Sequence, residues 1–198
     1  ILRTMASSLA GRAKEMAETA TRESGLSLKD TRHEVARAVD TLNLAADVIC
    51  IDTGCAYAGD IGGNGKDRRL FSHREPIGLI AAMTPFNHPV NQIIGKLAPA
   101  IAAGAPIIIK PSEKTPLSAL ALADLAYESG LPAHMLSVIT GDPAMIAGIF
   151  MTHPAIQLLS FTGSSIVGKD LFLRSHYRRL VLELGGNDPL IVFSDADI

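Results

Sequence analysis

The sequence has 198 residues, of which 47% are hydrophobic and 19% charged, and its formal net charge is −2. This composition predicts one large folded domain, or one domain plus a further piece, and argues against disorder. The charge and the lack of a basic cluster with aromatic neighbours give no support for nucleic-acid binding. No apolar run is long enough to span a membrane, so we expect no membrane association. Two cysteines, Cys50 and Cys55, favour a reducing, cytoplasmic location over a disulfide scaffold.

The first 75 residues predict two amphipathic helices followed by a glycine-rich segment. The helices are expected over 1–21 and 28–50, separated by Glu23-Ser24-Gly25. Residues 53–75 predict a projecting loop or hairpin with a returning strand over 70–74. A flexible surface connection and an oligomer contact remain equal alternatives for this segment. The sequence begins inside a predicted helix and ends just after a predicted strand, so we expect further residues on both sides.

From residue 76 onward, predicted strands and helices alternate. Strands are expected over 77–83, 107–109, 136–140, 156–161, 179–184 and 190–193, and helices over 90–103, 115–129, 144–151 and 164–175. This alternation predicts an α/β fold with a doubly wound, mostly parallel sheet, joined by right-handed crossovers. In such sheets ligands bind at the carboxyl ends of the strands, where this sequence has unusually polar loops.

The first of these loops contains Asn87 and His88 between two prolines. The side-chain amide of Asn87 has the chemistry needed to stabilise a developing oxyanion. Asparagine in a proline-bounded turn more often bonds local backbone, and a histidine there is usually structural. Both interpretations remain open from the residues alone.

The second loop, Lys110-Pro111-Ser112-Glu113, follows three isoleucines. We expect Lys110 to leave the core and reach the crevice, where it would donate to ribose or phosphate oxygens. Glu113 would accept the two hydroxyls of a ribose and repel a 2′-phosphate, which favours NAD over NADP. The alternative is a Lys110–Glu113 pair with Ser112 as a helix cap.

The third loop contains the spacing G-x-x-x-x-G-K from Gly163 to Lys169, which is typical of a phosphate loop. A glycine-serine turn at the start of a helix also predicts backbone N–H groups exposed to an anion. Asp170 stands where a phosphate loop has Ser or Thr, which weakens the nucleotide-hydrolase interpretation. The alternative is an ordinary helix start capped by Ser164. No G-x-G-x-x-G fingerprint is present.

The fourth loop follows the predicted strand that contains Glu183 and leads into two glycines. A mobile carboxylate in a cleft is suited to general-base catalysis. The alternative is a strand glutamate paired with Arg178 or Arg179. We expect no metal site, because Cys50 and Cys55 have no companion histidine cluster.

Five segments together resemble the NAD(P)-dependent aldehyde dehydrogenase superfamily, in its N-terminal cofactor-binding portion. They are TPFNHP at 84–89, KLAPAIAAGAPIIIKPSEKTPLSA at 96–119, GLPAHMLSVITG at 130–141, SFTGSSIVGKDL at 160–171 and LELGGNDP at 182–189. Their order and spacing also agree with the family, over nearly the whole chain. The resemblance implies a Rossmann-like sheet that lacks the usual glycine fingerprint.

The resemblance also implies roles for individual residues. Asn87 is similar to the family's oxyanion-hole asparagine, and Glu183 to the general base that activates the deacylating water. Lys110 and Glu113 resemble the adenosine-ribose binders, Gly163 and Ser164 the pyrophosphate turn, and Val167 the adenine contact. Leu184 and Gly185 are implied on the nicotinamide side. The complete implied cofactor set comprises Thr84, Pro85, Phe86, Lys110, Ser112, Glu113, Phe161, Gly163, Ser164, Val167, Leu184 and Gly185.

For the substrate, the resemblance places His88, Asn91 and Gln92 along a tunnel, with Arg37 on a flanking helix. Polar side chains and a nearby cation imply a small anionic or hydroxylated aldehyde. The family's nucleophile is a cysteine downstream of residue 198, and neither Cys50 nor Cys55 matches its position. We therefore expect the chain to be a fragment without aldehyde-oxidising activity of its own.

The implied organisation has four parts. Residues 1–52 form N-terminal helices, 53–75 an oligomerisation hairpin, 76–186 the NAD-binding domain, and 187–198 the start of a catalytic domain. A homodimer or homotetramer is implied by the hairpin. Two alternative functions remain: a phosphate-loop nucleotide hydrolase built on residues 163–169, and a non-catalytic nucleotide-binding module.

Overall fold

The computed structural model describes residues 1–51 and 54–197, and it begins with three helices. These are α1 (Leu2–Gly11), α2 (Ala13–Ser24) and α3 (Leu28–Ile51). The prediction of a single helix over 1–21 is wrong, because the chain breaks at Arg12, after a glycine of low helix propensity. The break lets both short helices bury an apolar face. Gly25, at a φ of 76°, ends α2 in the left-handed conformation that glycine adopts without strain.

A small antiparallel hairpin follows α3. Its strands are β1 (Ala56–Tyr57) and β2 (Leu70–Phe71), so the returning strand is shorter than predicted. Between them the backbone turns tightly, and a Cβ at Gly65 would contact the carbonyl oxygen of Gly59. Thr53, the first residue of the predicted hairpin segment, lies outside the described residues.

Five parallel strands form the central sheet, which confirms the predicted fold class. They are β3 (Leu79–Met83), β4 (Ile107–Lys110), β5 (Leu136–Val138), β6 (Ile156–Thr162) and β7 (Arg179–Glu183), in the order β5-β4-β3-β6-β7. The chain order reverses between β3 and β6, which pair from Leu79–Ile156 to Met83–Phe161. This reversal is the topological switch point of a doubly wound sheet.

The strand predicted over 190–193 is absent from the structure. Residues 184–193 have no regular secondary structure, and Leu190 is 90% exposed. A strand requires the backbone of a neighbouring strand, and the apolar residues 190–193 have no such neighbour within the described chain. The apolar pattern alone was therefore insufficient to form a strand here.

Helices cover both faces of the sheet. They are α4 (Pro89–Ala102), α5 (Pro116–Glu128), α6 (Pro143–Thr152) and α7 (Ser165–Arg174), with a 3-10 turn at Ala133–Met135. One cluster of buried side chains comes from the five helices α1, α2, α3, α4 and α5 and from one face of the sheet. A second cluster comes from α6, α7 and the other face. Among the described residues, no helix has both the length and the hydropathy required to cross a membrane.

Candidate active site

The four polar loops predicted from the sequence meet at the carboxyl edge of the sheet. Backbone hydrogen bonds join them in pairs: Thr84 N–H donates to the Lys110 carbonyl at 3.2 Å, and Gly163 N–H donates to the Glu183 carbonyl at 3.0 Å. The ammonium of Lys114 lies 4.6 Å from the ring centroid of Phe86, which joins the first loop to the second. The strand order thus places all four loops along one edge, at the switch point where doubly wound sheets form a ligand-binding crevice.

Asn87 lies in the turn between β3 and α4 and is exposed. His88 is the N-cap residue of α4, with φ −145° and ψ 74°, but its side chain does not cap the helix. Within the described residues no hydrogen bond engages the side-chain amide of Asn87. The amide therefore remains able to donate into the crevice.

The N-terminus of α4 is instead capped by Glu34, a residue that the sequence analysis missed. Glu34 is 2% exposed, and its Oε1 accepts hydrogen bonds from the N–H groups of Val90 at 2.7 Å and Asn91 at 2.8 Å. Burial raises the pKa of Glu34, and the two amide donors oppose that shift. The sequence pattern that identifies Glu34 is a glutamate at a core position of an amphipathic helix, one residue before buried Val35.

Lys96 is a second functional candidate that the sequence analysis missed. From α4 its ammonium donates to Thr162 Oγ1 at 2.8 Å and to Ser160 Oγ at 3.1 Å, both on β6. Burial lowers the pKa of Lys96 to about 8, and the Glu183 carboxylate opposes part of that shift. The ammonium thus lies below the crevice, within electrostatic reach of Glu183. The sequence pattern that identifies Lys96 is a lysine within an otherwise apolar helix.

In the second loop, Lys110 folds back instead of extending into the crevice. It is 3% exposed, and its ammonium donates to the Pro111 carbonyl at 2.8 Å and to Glu113 Oε2 at 3.3 Å. A hydrogen bond from its own backbone N–H and the Lys110 charge lower the pKa of Glu113. Ser112 Oγ accepts from the Lys114 N–H. The structure therefore contains the Lys–Glu pair, while the Glu113 side chain stays 58% exposed.

The third loop differs from the predicted anion turn in one respect. The N–H of Gly163 is used by the Glu183 carbonyl, so this amide is not available to an anion, contrary to the prediction. A Cβ on Gly163 would lie 2.5 Å from the ring of Phe161, which is buried. Ser164 Oγ caps α7 by accepting from Val167 N–H at 3.3 Å. An anion at this edge would therefore meet the first-turn amides of α7.

The phosphate-loop hypothesis is contradicted by the position of the second glycine. Helix α7 begins at Ser165, so Gly168 and Lys169 lie inside the helix and not in a loop. Gly168 is buried against Leu184, whose side chain a Cβ at Gly168 would strike. The glycine is required for close packing of α7 on the segment after β7. Lys169 is exposed.

Glu183 ends β7 beside Thr162 and is exposed. The predicted alternative, a pair with Arg178 or Arg179, is not formed within the described chain. Arg178 instead donates to the carbonyls of Ile156 and His153. The next residues, Leu184 and Gly185, pack near Gly168 and Ser165 of α7.

The predicted substrate residues lie at one end of the α3–α4 pair. These helices run in the same direction, because Glu34 contacts the start of α4 while Ile49 lines a cavity with Ala102 and Ala103 at its end. Arg37 is exposed and three residues after Glu34, so the two residues are neighbours on the surface of α3. His88 is exposed at this end, whereas Asn91 and Gln92 are half-buried.

The two cysteines lie at the opposite edge of the sheet. Cys50 lines a cavity with Ile101 at the carboxyl end of α4. Helix α4 has 14 residues, which at about 1.5 Å per residue separates its two ends by about 20 Å. Both cysteines are exposed and free. Within the described residues, no group of three or more His, Cys, Asp or Glu is arranged to hold a metal ion.

The whole chain, residues 1–198, matches the sequence model of the aldehyde dehydrogenase family. The chain belongs to the aldehyde dehydrogenase family. A succinate semialdehyde dehydrogenase of Acinetobacter baylyi is 40% identical over 185 residues, which cover 92% of this chain and 38% of that protein. A 3-sulfolactaldehyde dehydrogenase of Priestia aryabhattai is 38% identical over 198 residues, covering 100% of this chain and 42% of that protein.

A solved structure of similar fold is the NADP-dependent glyceraldehyde-3-phosphate dehydrogenase of Bacillus halodurans in complex with NADP. It superimposes with a TM-score of 0.91 at 32% identity, over 99% of this chain and 41% of that one. This chain therefore spans about two-fifths of the length of the relatives that it matches.

Lys96→Met is predicted to remove a rise in stability with pH. In the folded protein the pKa of Lys96 is about 8, below its usual 10.5, so the unfolded state binds more protons between these pH values. Folding stability of the wild type should therefore increase across that interval, relative to the variant. Urea unfolding at pH 7.5 and pH 10 measures the difference. Lys169→Met, on the exposed side of α7, should follow the wild type. Parallel pH profiles for the wild type and Lys96→Met would contradict the prediction.

Proposed function

We propose that this chain supplies the cofactor-binding half and two catalytic side chains of an NAD-dependent aldehyde dehydrogenase. The observation that carries the proposal is that the amide of Asn87 and the carboxylate of Glu183 both lie at the carboxyl edge of a doubly wound sheet, and neither group forms a hydrogen bond or ion pair within the described residues. Family membership supports the same assignment. The reaction is the oxidation of an aldehyde to its acid through a cysteine thioester.

Asn87 stabilises the oxyanion in this proposal. A nucleophile that attacks an aldehyde carbonyl converts the carbonyl oxygen to an alkoxide, and a fixed amide donor lowers the energy of that charge. Asn87 is suited to this role because it lies two residues before a helix whose first turn is held from outside by Glu34.

Glu183 is the proposed general base for thioester hydrolysis. Its carboxylate would take a proton from the attacking water as the acid product forms. The ammonium of Lys96 interacts electrostatically with the Glu183 carboxylate, and later loss of the abstracted proton to solvent restores the starting state. The exposed position of Glu183 at the end of β7 allows it to move within the crevice.

The residues of the second and third loops fit a dinucleotide. Glu113 retains an exposed carboxylate at the carboxyl end of β4, and α7 directs its N-terminus to the same edge. Glu113 would accept the ribose hydroxyls, Lys110 would orient that carboxylate, and the amides at the start of α7 would hold the pyrophosphate. Val167 lies beside the adenine in this arrangement, and Leu184 and Gly185 on the nicotinamide side. When bound, the cofactor accepts a hydride from the substrate carbon.

The choice of NAD over NADP rests on the charge of Glu113. Its lowered pKa keeps the side chain ionised at neutral pH, and an anion at this position repels a 2′-phosphate. By their names, the Bacillus halodurans relative is NADP-dependent and an aldehyde dehydrogenase of Sinorhizobium meliloti is NAD-dependent, so cofactor choice varies within the family.

The proposal assigns no nucleophile to residues 1–198. Cys50 lies at the far end of α4, about 20 Å from Asn87 along the helix, and Cys55 follows at the base of the hairpin. The thiolate that the reaction requires is therefore supplied by another part of the complete enzyme. Free, exposed cysteines also favour a reducing, cytoplasmic location.

The proposed substrate is a small anionic or hydroxylated aldehyde. Arg37 is an exposed cation next to Glu34 on the surface of α3, and His88, Asn91 and Gln92 present polar side chains at the start of α4. Two relatives act, by their names, on succinate semialdehyde and 3-sulfolactaldehyde, which are small aldehydes with an acidic group. The same features favour a substrate of this class here.

A homodimer or homotetramer is the proposed assembly. The hairpin exposes four large apolar side chains, Tyr57, Ile61, Leu70 and Phe71, which a second subunit would cover. Sedimentation of the complete enzyme after Phe71→Asp measures whether the assembly depends on this segment.

Asn87→Ala and Glu183→Gln are predicted to impair different steps. In the complete enzyme, loss of the amide should lower kcat about 100-fold to 1,000-fold, because one donor to the oxyanion is removed. Glu183→Gln should retain a rapid burst of NADH and slow the turnover that follows. Stopped-flow absorbance at 340 nm separates the phases. Asn64→Ala, an exposed asparagine of the hairpin segment, is the control. An unchanged kcat in Asn87→Ala would refute the assigned role.

Glu113→Gln is predicted to relax cofactor choice. The variant keeps an acceptor for ribose hydroxyls but removes the charge that repels a 2′-phosphate, so kcat/KM for NADP should rise about tenfold relative to NAD. Steady-state kinetics with both cofactors gives the ratio. Glu128→Gln, an exposed glutamate at the end of α5, should leave it unchanged. The role of Glu113 would be wrong if the ratio stayed constant.

Arg37→Ala is predicted to discriminate against anionic substrates. Loss of a charge-assisted contact should raise KM for an anionic aldehyde about tenfold, with little effect on a neutral aldehyde of similar size. Arg32→Ala is the matched control, since Arg32 lies on the same helix two positions before Glu34 and so on its other side. Equal changes in KM for both aldehydes would remove the argument for Arg37.

A further inference from the structure

Two glutamates of the N-terminal helices cap the two helices that follow the first strands of the sheet. Glu34 of α3 accepts from the N–H groups of Val90 and Asn91, the second and third residues of α4. Glu23, at the end of α2, accepts from the N–H groups of Leu117 at 2.7 Å and Ser118 at 2.9 Å, the second and third residues of α5. Each carboxylate thus satisfies two amides that a helix start leaves unpaired.

The other two crossover helices are capped locally. Asp142 Oδ1 accepts from the Met145 N–H at 2.7 Å at the start of α6, and Ser164 does the same for α7. A local N-cap directs the side chain at that position back onto its own helix. At α4 the cap comes from a distant residue, so the N-cap side chain of His88 and the preceding Asn87 are not needed for capping.

Burial of the Glu34 carboxylate is energetically unfavourable. If its role were only to cap α4, a local N-cap would do so without burying a charge. Its Oε2 has no hydrogen-bond partner within the described residues and lies 3.8 Å from Nδ1 of His88. One carboxylate therefore restrains the backbone of the first turn of α4 and faces the imidazole of the residue next to Asn87. Removing it would free two backbone amides of the turn and remove the carboxylate that faces His88, all close to the proposed oxyanion site.

We propose that Glu34 is a positioning residue that sets the side-chain amide of Asn87 for oxyanion stabilisation by holding the first turn of α4. The inference rests on the proposed function of Asn87. Glu34 touches neither substrate nor cofactor in this scheme and acts only through Asn87. Displacement of a catalytic donor by about 1 Å can lower a rate about 100-fold, so a cap without direct contact is sufficient for a large effect.

A double-mutant cycle in the complete enzyme tests the proposal. Glu34→Ala should lower kcat about 10-fold to 100-fold and change KM for NAD less than about twofold, since Glu34 contacts Val90, Asn91 and His88 and none of the residues assigned to the cofactor. In an Asn87→Ala background, Glu34→Ala should have less than about a threefold further effect on kcat, because the group that it positions is already absent. Glu34→Gln keeps an acceptor for the two amides and should recover most of the rate.

Glu23→Ala is the matched control, because it removes the same kind of cap from α5. Both alanine variants should lose similar thermal stability, but only Glu34→Ala should lose kcat. If Glu34→Ala does not fold, Glu34→Asp, whose shorter side chain cannot reach both amides, replaces it in the cycle. Additive effects with Asn87→Ala, or equal loss of kcat in Glu23→Ala, would overturn the proposal. An active wild type whose Asn87→Ala variant is unimpaired would instead overturn the proposed function of Asn87 itself.

Discussion

The parallel pairing of β3 with β4 on one side and β6 on the other is the constraint on which the rest of this structure depends. Because all five strands are parallel, every loop at a carboxyl end opens onto the same edge. The reversal of chain order between β3 and β6 sends their following helices to opposite faces and leaves a crevice between them. The candidate catalytic and cofactor residues come from four loops that are far apart in the sequence, and this pairing alone brings them together.

Buried charge lies on both the proposed substrate side and the proposed cofactor side of the crevice. On the proposed substrate side, Glu34 and Lys96 are held in or near the core by hydrogen bonds to the start of α4 and to two hydroxyls of β6. Such groups are retained in low dielectric only when their partners are fixed, so they rigidify the elements that they join. On the proposed cofactor side, the ammonium of Lys110 is buried, whereas the charge of its partner Glu113 stays exposed, where a ligand can engage it.

Gly168 shows why a motif must be interpreted together with its secondary structure. The spacing from Gly163 to Lys169 equals that of a phosphate loop, but α7 begins two residues after Gly163 and takes the second glycine into the helix. There the absence of a side chain serves contact with Leu184. The N–H of Gly163 is likewise used within the sheet. The same glycines therefore serve packing where the spacing alone suggested anion binding.

The sequence by itself determined the strands, helices and turns that are specified by patterns of neighbouring residues. The apolar run before Met83, the helical period after Pro89 and the prolines and glycines at the turns were sufficient for the parallel α/β fold and the four polar loops that include Asn87 and Glu183. The tertiary structure alone decided what depends on partners distant in sequence. Glu34 reaches the start of α4 across 56 residues, and Lys96 reaches β6 across 64. Residues 190–193 have a strand-like pattern but no neighbouring strand in the described chain. Hydrophobic period reports which face of an element is buried, whereas capping, charge burial and strand pairing require a second segment whose position no local pattern specifies.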